Sequence, residues 1–107
     1  MLKGQSLRDE VFRLMGALPP GNVTTYGDLA VFAGHPRAAR IVGGIAHHGP
    51  ESLAWHRLVH ADGRLATGFP GGTEVQRQLL EQDGITCKAA VVEDFARLRW
   101  MGPMANE

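Results

Sequence analysis

One cysteine, no net charge and no long apolar run mark this 107-residue chain, and each shortage closes a class of function. A lone Cys87 builds neither a disulfide framework nor a cysteine-rich zinc module, and it suits a reducing compartment. Lys and Arg total 11 against 11 for Asp and Glu, which excludes a uniformly basic nucleic-acid coat and an acidic tail. No apolar run approaches the roughly 20 residues of a membrane span, and no apolar secretion core follows Met1. The expectation is a soluble, cytoplasmic protein with no membrane partner. Hydrophobic residues make up 44% and charged residues 21%, enough for one packed domain over 1–107 with its core between about residues 6 and 100.

The zero balance hides an asymmetry. All five histidines fall between His35 and His60, and the stretch from His35 to Arg64 also holds Arg37, Arg40, Arg57 and Arg64 against Glu51 and Asp62 alone. A positive middle third lets a neutral protein turn one face to a polyanion; a solvated surface with scattered charges fits the same composition. His56 and His60 stand four apart, but on a strand they are badly placed to chelate, and no Cys or carboxylate completes a metal set. Cys87 has no histidine near it in sequence and reads as a small hydrophobe rather than a nucleophile. No cofactor motif is present.

Local signals predict a mainly helical fold with a winged helix-turn-helix and a short β-hairpin. Ser6 reads as the N-cap of a first helix whose apolar stripe is Leu7, Val11, Leu14, Met15 and Leu18, stopped by Pro19-Pro20-Gly21. Thr25 caps a second, shorter helix with Asp28 as its capping partner, ending at Gly34. Pro36 opens a third helix over Arg37 to His48, with Arg37 and Arg40 near the end that usually meets DNA. Asp62-Gly63 predicts a hairpin between strands Leu58–Ala61 and Arg64–Ala66. Thr73, with Gln76 at the capping-box position, opens a fourth helix that Gly84 ends. One more turn is expected at Asp94–Arg97, and frayed residues at the end of the chain.

Two stretches are more specific than this outline. The run Leu18 to Ala30, containing Val23-Thr24-Thr25-Tyr26-Gly27, leads into Pro36-Arg37-Ala38-Ala39-Arg40-Ile41-Val42-Gly43-Gly44. Together they resemble the DNA-binding domain of the O6-alkylguanine-DNA alkyltransferases. Ala54-Trp55-His56-Arg57-Leu58-Val59 is similar to that family's active-site Pro-Cys-His-Arg-Val, with tryptophan in place of the alkyl-accepting cysteine and alanine in place of the proline. That replacement marks the alkyltransferase-like proteins, which bind alkylated DNA without repairing it. The family's companion N-terminal domain is not matched.

The resemblance implies a monomer that recognises O6-alkylguanine in double-stranded DNA by nucleotide flipping, performs no catalysis, and passes the site to nucleotide excision repair proteins. It implies DNA-binding roles for Tyr26, Arg37, Arg40, Gly43 and Arg57. Tyr26 would press on the phosphate beside the target, and Arg40 would fill the space that the base leaves. The lesion pocket would comprise Tyr26, Trp55, Phe69, Pro70 and Gly71, the last three lying in Phe69-Pro70-Gly71-Gly72 where the family usually has Tyr-Ser-Gly-Gly. Pro70 has no N–H to donate there. An indole lacks a nucleophile and offers one N–H, so Trp55 can line a pocket but accept no alkyl group. Counting back from Gly84, Arg77 falls where the family carries the glutamate that orients the histidine, so His56 is expected to lack a carboxylate. Arg64 has no counterpart in the family. A sequence-reading winged-helix regulator shares the same outline, and a true alkyltransferase acting through Cys87 is the enzyme alternative.

Overall fold

Leu7, Val11, Leu14 and Met15 line the buried side of helix α1 (Lys3–Ala17), with Leu18 just beyond its end. The computed structural model describes residues 3–103, and their side chains from Leu7 onward. Helix α1 begins before Ser6, so Ser6 is an interior residue and not the N-cap that the sequence suggested. Lys3-Gly4-Gln5 contains no breaker strong enough to stop the helix from extending backwards. The expectation of frayed residues at the end of the chain lies mostly outside the described residues.

Strand β1 (Thr24–Thr25) runs directly into helix α2 (Tyr26–Phe32). Thr25 is its N-cap, accepting from the Asp28 N–H at 3.0 Å. The reciprocal half of the capping box does not form. The Asp28 carboxylate instead takes two hydrogen bonds of 2.7 Å from Arg99, tying α2 to the end of the chain. Helix α3 (Ala39–His47) starts later than Pro36 suggested, because Pro36 and Arg37 form the turn that leads into it. The Ala38 N–H closes that turn onto the His35 carbonyl at 2.9 Å. Helices α2 and α3 make the helix-turn-helix.

The strand pattern differs from the expected hairpin. Strand β2 (Leu58–Val59) pairs in parallel with β1, Thr24 opposite Leu58 and Thr25 opposite Val59. Asp62-Gly63 does turn the chain, with Gly63 at φ 87° and the His60 N–H donating to the Arg64 carbonyl at 2.9 Å. Arg64 then bridges to Val91 rather than continuing a hairpin. The antiparallel hairpin of the wing is β3 (Cys87–Lys88) with β4 (Val91–Val92). It reverses through Ala89 and Ala90, at φ 53° and 61°. Both are left-handed positions that cost a residue with a Cβ about 1–2 kcal/mol. Replacing Ala90 by glycine should therefore raise stability by about 0.5–1 kcal/mol, measurable as a higher urea midpoint at unchanged slope.

Helix α4 (Gly72–Gln82) is preceded by Gly71, at φ 88°, as its N-cap, so Thr73 lies inside the helix and Gln76 is not a capping-box partner. Its end is a Schellman closure. The Gly84 N–H donates to the Glu81 carbonyl and the Ile85 N–H to the Leu80 carbonyl, both at 3.0 Å. The last helix, α5 (Phe95–Leu98), is one turn. Two hydrophobic clusters result. One joins α1, α2, α3 and Trp100; the other joins Val23, Val59, Leu65, Leu80, Ile85 and Val92. Adjacent strand residues point to opposite faces, and β2 uses this to place Leu58 in the first cluster and Val59 in the second. Residues 55–57, immediately before β2, are thereby fixed at the seam between the clusters.

Candidate nucleotide pocket and nucleic-acid interface

Val42 turns the inner side of α3 into the core, leaving Arg40, Gly43, Gly44 and His47 on an outer face. Arg37 and Arg40 are exposed, and neither forms an ion pair among the described residues. A Cβ added to Gly43 would come to 3.9 Å from the Tyr26 ring, and one added to Gly44 would meet nothing within 4 Å. The middle of α3 is thus bare backbone, and at Gly43 it borders a cavity.

That cavity measures about 610 Å³, within the range of small-ligand sites. Tyr26, Gly43, Trp55, His56, Phe69 and Pro70 stand on its wall, so the structure brings together most of the residues proposed from sequence. Gly71 does not line it. Its positive φ places it under Val75 as the α4 cap, where a Cβ would fall 2.6 Å from a Val75 methyl. Tyr26 is half-buried with its ring 5.6 Å from that of His60, and burial pushes its phenol up, so the hydroxyl remains a donor at neutral pH.

Trp55 forms a single 3-10 turn with His56 and Arg57. Its indole N–H donates to the Pro50 carbonyl at 2.8 Å, and Phe12 meets the ring edge-on at 6.1 Å. The ring lies against Gly49, where a Cβ would fall 2.4 Å from Cζ2. Glycine is required there by the indole itself. The one donor of Trp55 is therefore already used, and the residue offers the cavity an apolar aromatic surface.

His56 does have a carboxylate partner. Its Nε2 lies 2.6 Å from Asp83 Oδ2, and Arg57 Nε donates to the same oxygen at 2.9 Å. Asp83 is the residue before Gly84, where the Schellman closure turns the chain back towards the 3-10 turn. Arg77, assigned the partner's place by counting, instead lies on the outer side of α4, bonded to Glu74 and Glu81. Arg57, which the resemblance made a DNA contact, is drawn to the Asp83 carboxylate. Its side chain is 13% exposed, with Nε the donor.

The Arg57 guanidinium, and then His56, hold the Asp83 carboxyl below the usual carboxylate range. The folded chain therefore binds this proton less readily than the unfolded chain, and the stabilisation present above the ordinary value is lost as pH falls through the lowered one. The stability gap between the parent and Asp83→Asn should be widest near neutrality and close as pH drops below about 4. Parallel urea titrations across that range measure it.

Residues 6–85 match the family described as 6-O-methylguanine DNA methyltransferase, DNA binding domain. The chain is 41% identical over 102 residues to the DNA base-flipping protein of Escherichia coli (strain K12), spanning 94% of this chain and 78% of that one. The crystal structure of S. pombe Atl1 in complex with damaged DNA containing O6-carboxymethylguanine superposes with a TM-score of 0.77. Identity there is 26%, over 90% of this chain and 95% of Atl1. The chain belongs to the alkyltransferase-like members of this family. The Mycobacterium tuberculosis OGT in complex with DNA also matches, with a TM-score of 0.67 and 34% identity over 72% of this chain. There the family likeness spans 48% of the larger protein, about half its length.

Among the remaining sequence candidates, Arg64 is exposed and bonded to Asp62 at 2.7 Å, away from the cavity wall. Cys87 sits half-buried on β3, where burial pushes its thiol up and disfavours the reactive thiolate. The histidines separate: His56 turns to Asp83 and His60 to Tyr26. Sequence reasoning missed Asp83 and Gln76. A carboxylate directly before the helix-ending glycine was the available signal for the first.

Proposed function

We propose that this chain recognises O6-alkylguanine in duplex DNA by rotating the damaged nucleotide into the cavity beside α3, and that it carries out no chemistry there. The observation that carries this reading is the wall of that cavity: an anchored indole at position 55, with Tyr26 and bare Gly43 opposite. Arg40 stands one turn before Gly43 on the same face of α3, free to enter the base stack as the nucleotide leaves. A guanidinium is planar and always charged, so it can stack on bases and hydrogen-bond the orphaned partner. Flipping costs less for a damaged, poorly paired base, which supplies part of the selectivity. Contacts between the alkyl group and Trp55, Phe69 and Pro70 supply the rest.

The names of the E. coli relative and of the Atl1 complex support the reading. Gly43 and Gly44 leave the middle of α3 without side chains to read base edges, which disfavours a sequence-specific regulator. A protein that binds a lesion without removing it needs a successor, and we assign that role to nucleotide excision repair. We take the chain to act as a monomer on cytoplasmic DNA, nucleoid-associated if bacterial.

Titration of labelled duplexes with and without one O6-methylguanine, followed by mass spectrometry, tests the proposal. Lesion preference with unchanged protein mass supports it, and a gain of about 14 Da would establish transfer. Arg40→Ala should weaken lesion binding by about 1–3 kcal/mol and shrink the preference for the lesion. Tyr26→Ala should lower the fluorescence rise of 2-aminopurine at the target. If both variants bind and flip like the parent, the flipping reading is wrong.

A further inference from the structure

Helix α3 separates two hollows. The nucleotide cavity lies on one flank, reached past Gly43. On the other flank, a groove runs between α3 and α1, lined by Arg8 and Phe12 from α1, by Ile41, Gly44 and His48 along α3, and by Pro50. The two flanks repeat one pattern. Gly43 bares the backbone towards the cavity and Gly44 towards the groove. At the end of the helix the neighbouring rings of His47 and His48, 4.8 Å apart and edge to face, divide in the same way.

The groove offers two kinds of surface. Arg8 brings a fixed positive charge and His48 a polar ring able to hydrogen-bond, and no carboxylate is among the lining residues. Phe12, Ile41 and Pro50 bring apolar area. Ile41 is 60% exposed, a large aliphatic side chain that the core does not use, placed next to Arg40. Anionic phosphates alternating with apolar deoxyribose faces are what this combination fits.

We propose that this groove seats the sugar–phosphate backbone of the strand opposite the lesion, with Arg8 contacting a phosphate and Ile41 packing on a sugar. The inference rests on the reading of the chain as a nucleotide flipper on duplex DNA. A duplex straddling α3 lays one strand along each flank. The damaged nucleotide turns past Gly43 into the cavity, and the opposite strand runs past Gly44 over the groove. Held on that side, the undamaged strand cannot follow the nucleotide being withdrawn, so Arg8 and Ile41 act as positioning residues for flipping.

Neutralising phosphates in one strand at a time tests this. Binding of the parent and of Arg8→Gln is measured on three O6-methylguanine duplexes: unmodified, with methylphosphonates flanking the lesion, and with methylphosphonates in the opposite strand. Arg8 is exposed on α1, so the variant should fold, and a circular dichroism spectrum like the parent's is the check. On the unmodified duplex Arg8→Gln should bind about five- to tenfold more weakly, with a salt slope shallower by about 1. The loss should persist when the lesion strand is neutralised and vanish when the opposite strand is. Ile41→Ser should weaken binding to all three duplexes. Equal binding by parent and Arg8→Gln, or a loss that vanishes only with lesion-strand neutralisation, would overturn the proposal, the first outcome leaving the groove to a protein partner. Repeating the set on undamaged duplexes separates the two readings. A parent without lesion preference sinks the flipping function, while the coupling of Arg8 to one strand is still read on plain DNA.

Discussion

Replacing Gln76 by leucine should destabilise the chain by about 3–5 kcal/mol, more than any surface substitution considered above. Gln76 is fully buried, at 0% exposure, in the middle of α4. Its Oε1 accepts from the Ala66 N–H at 2.7 Å, and its Nε2 donates to the His56 and Leu58 carbonyls, each at 3.0 Å. One side chain thus bonds three backbone groups drawn from two separate segments, residues 56–58 and Ala66. Leucine fills nearly the same volume but leaves an N–H and two carbonyls without partners, at about 1–3 kcal/mol for each buried group left unsatisfied. The bonds also clamp the two segments that wall the cavity: the 3-10 turn with β2, and the loop from Ala66 that carries Phe69 and Pro70. Lesion binding should fall with stability, even at temperatures where the variant is folded. Urea unfolding gives the first effect and a titration well below the melting point gives the second. A loss of less than about 1 kcal/mol would mean that the three backbone groups find other partners.

Gln76 also shows where reading the sequence stops. As the fourth residue of a Thr-x-x-Gln run before a helix it has the pattern of a capping box, a local motif. Whether its amide turns back to the cap or across to residues 56, 58 and 66 depends on long-range packing, which no local pattern encodes. The helices were legible because their signals are local: the apolar stripe of α1, the Thr25 cap and the Gly84 stop. The wing was legible in kind but not in place. Asp62-Gly63 carries a strong turn signal and turns the chain, yet β2 finds its partner in β1, more than thirty residues earlier. The true hairpin turns through Ala89-Ala90, which carries no left-handed preference for a reader to use. At the site, residue identities at 26, 40, 43 and 55 carried the inference. Arg77 went astray because a charge seen in sequence says nothing of the partner that folding gives it.

The Asp83 contact also changes what should follow from restoring the missing thiol. With Arg77 beside His56, Trp55→Cys would need a second substitution to gain a working base. With Asp83 bonded to His56 Nε2, the imidazole already has its carboxylate, and its other ring nitrogen is the one left to take a thiol proton. A free thiol is only a few per cent thiolate at neutral pH, so this base is what makes attack on an alkyl carbon practical. Trp55→Cys should therefore become a slow, single-turnover alkyl acceptor, gaining about 14 Da with O6-methylguanine DNA. Adding Arg77→Glu should change the rate little, since Arg77 faces solvent with Glu74 and Glu81. Adding Asp83→Asn should slow transfer about 100-fold or more, the usual scale of a general-base contribution. Losing the indole empties the shelf between Phe12, Gly49 and Pro50, so the variant should also be less stable by about 2–4 kcal/mol and is best assayed in the cold. Equal rates with and without Asp83→Asn would show that the His56–Asp83 pair is structural. Acceleration by Arg77→Glu would place Arg77 closer to the imidazole than its pairing with the two glutamates allows.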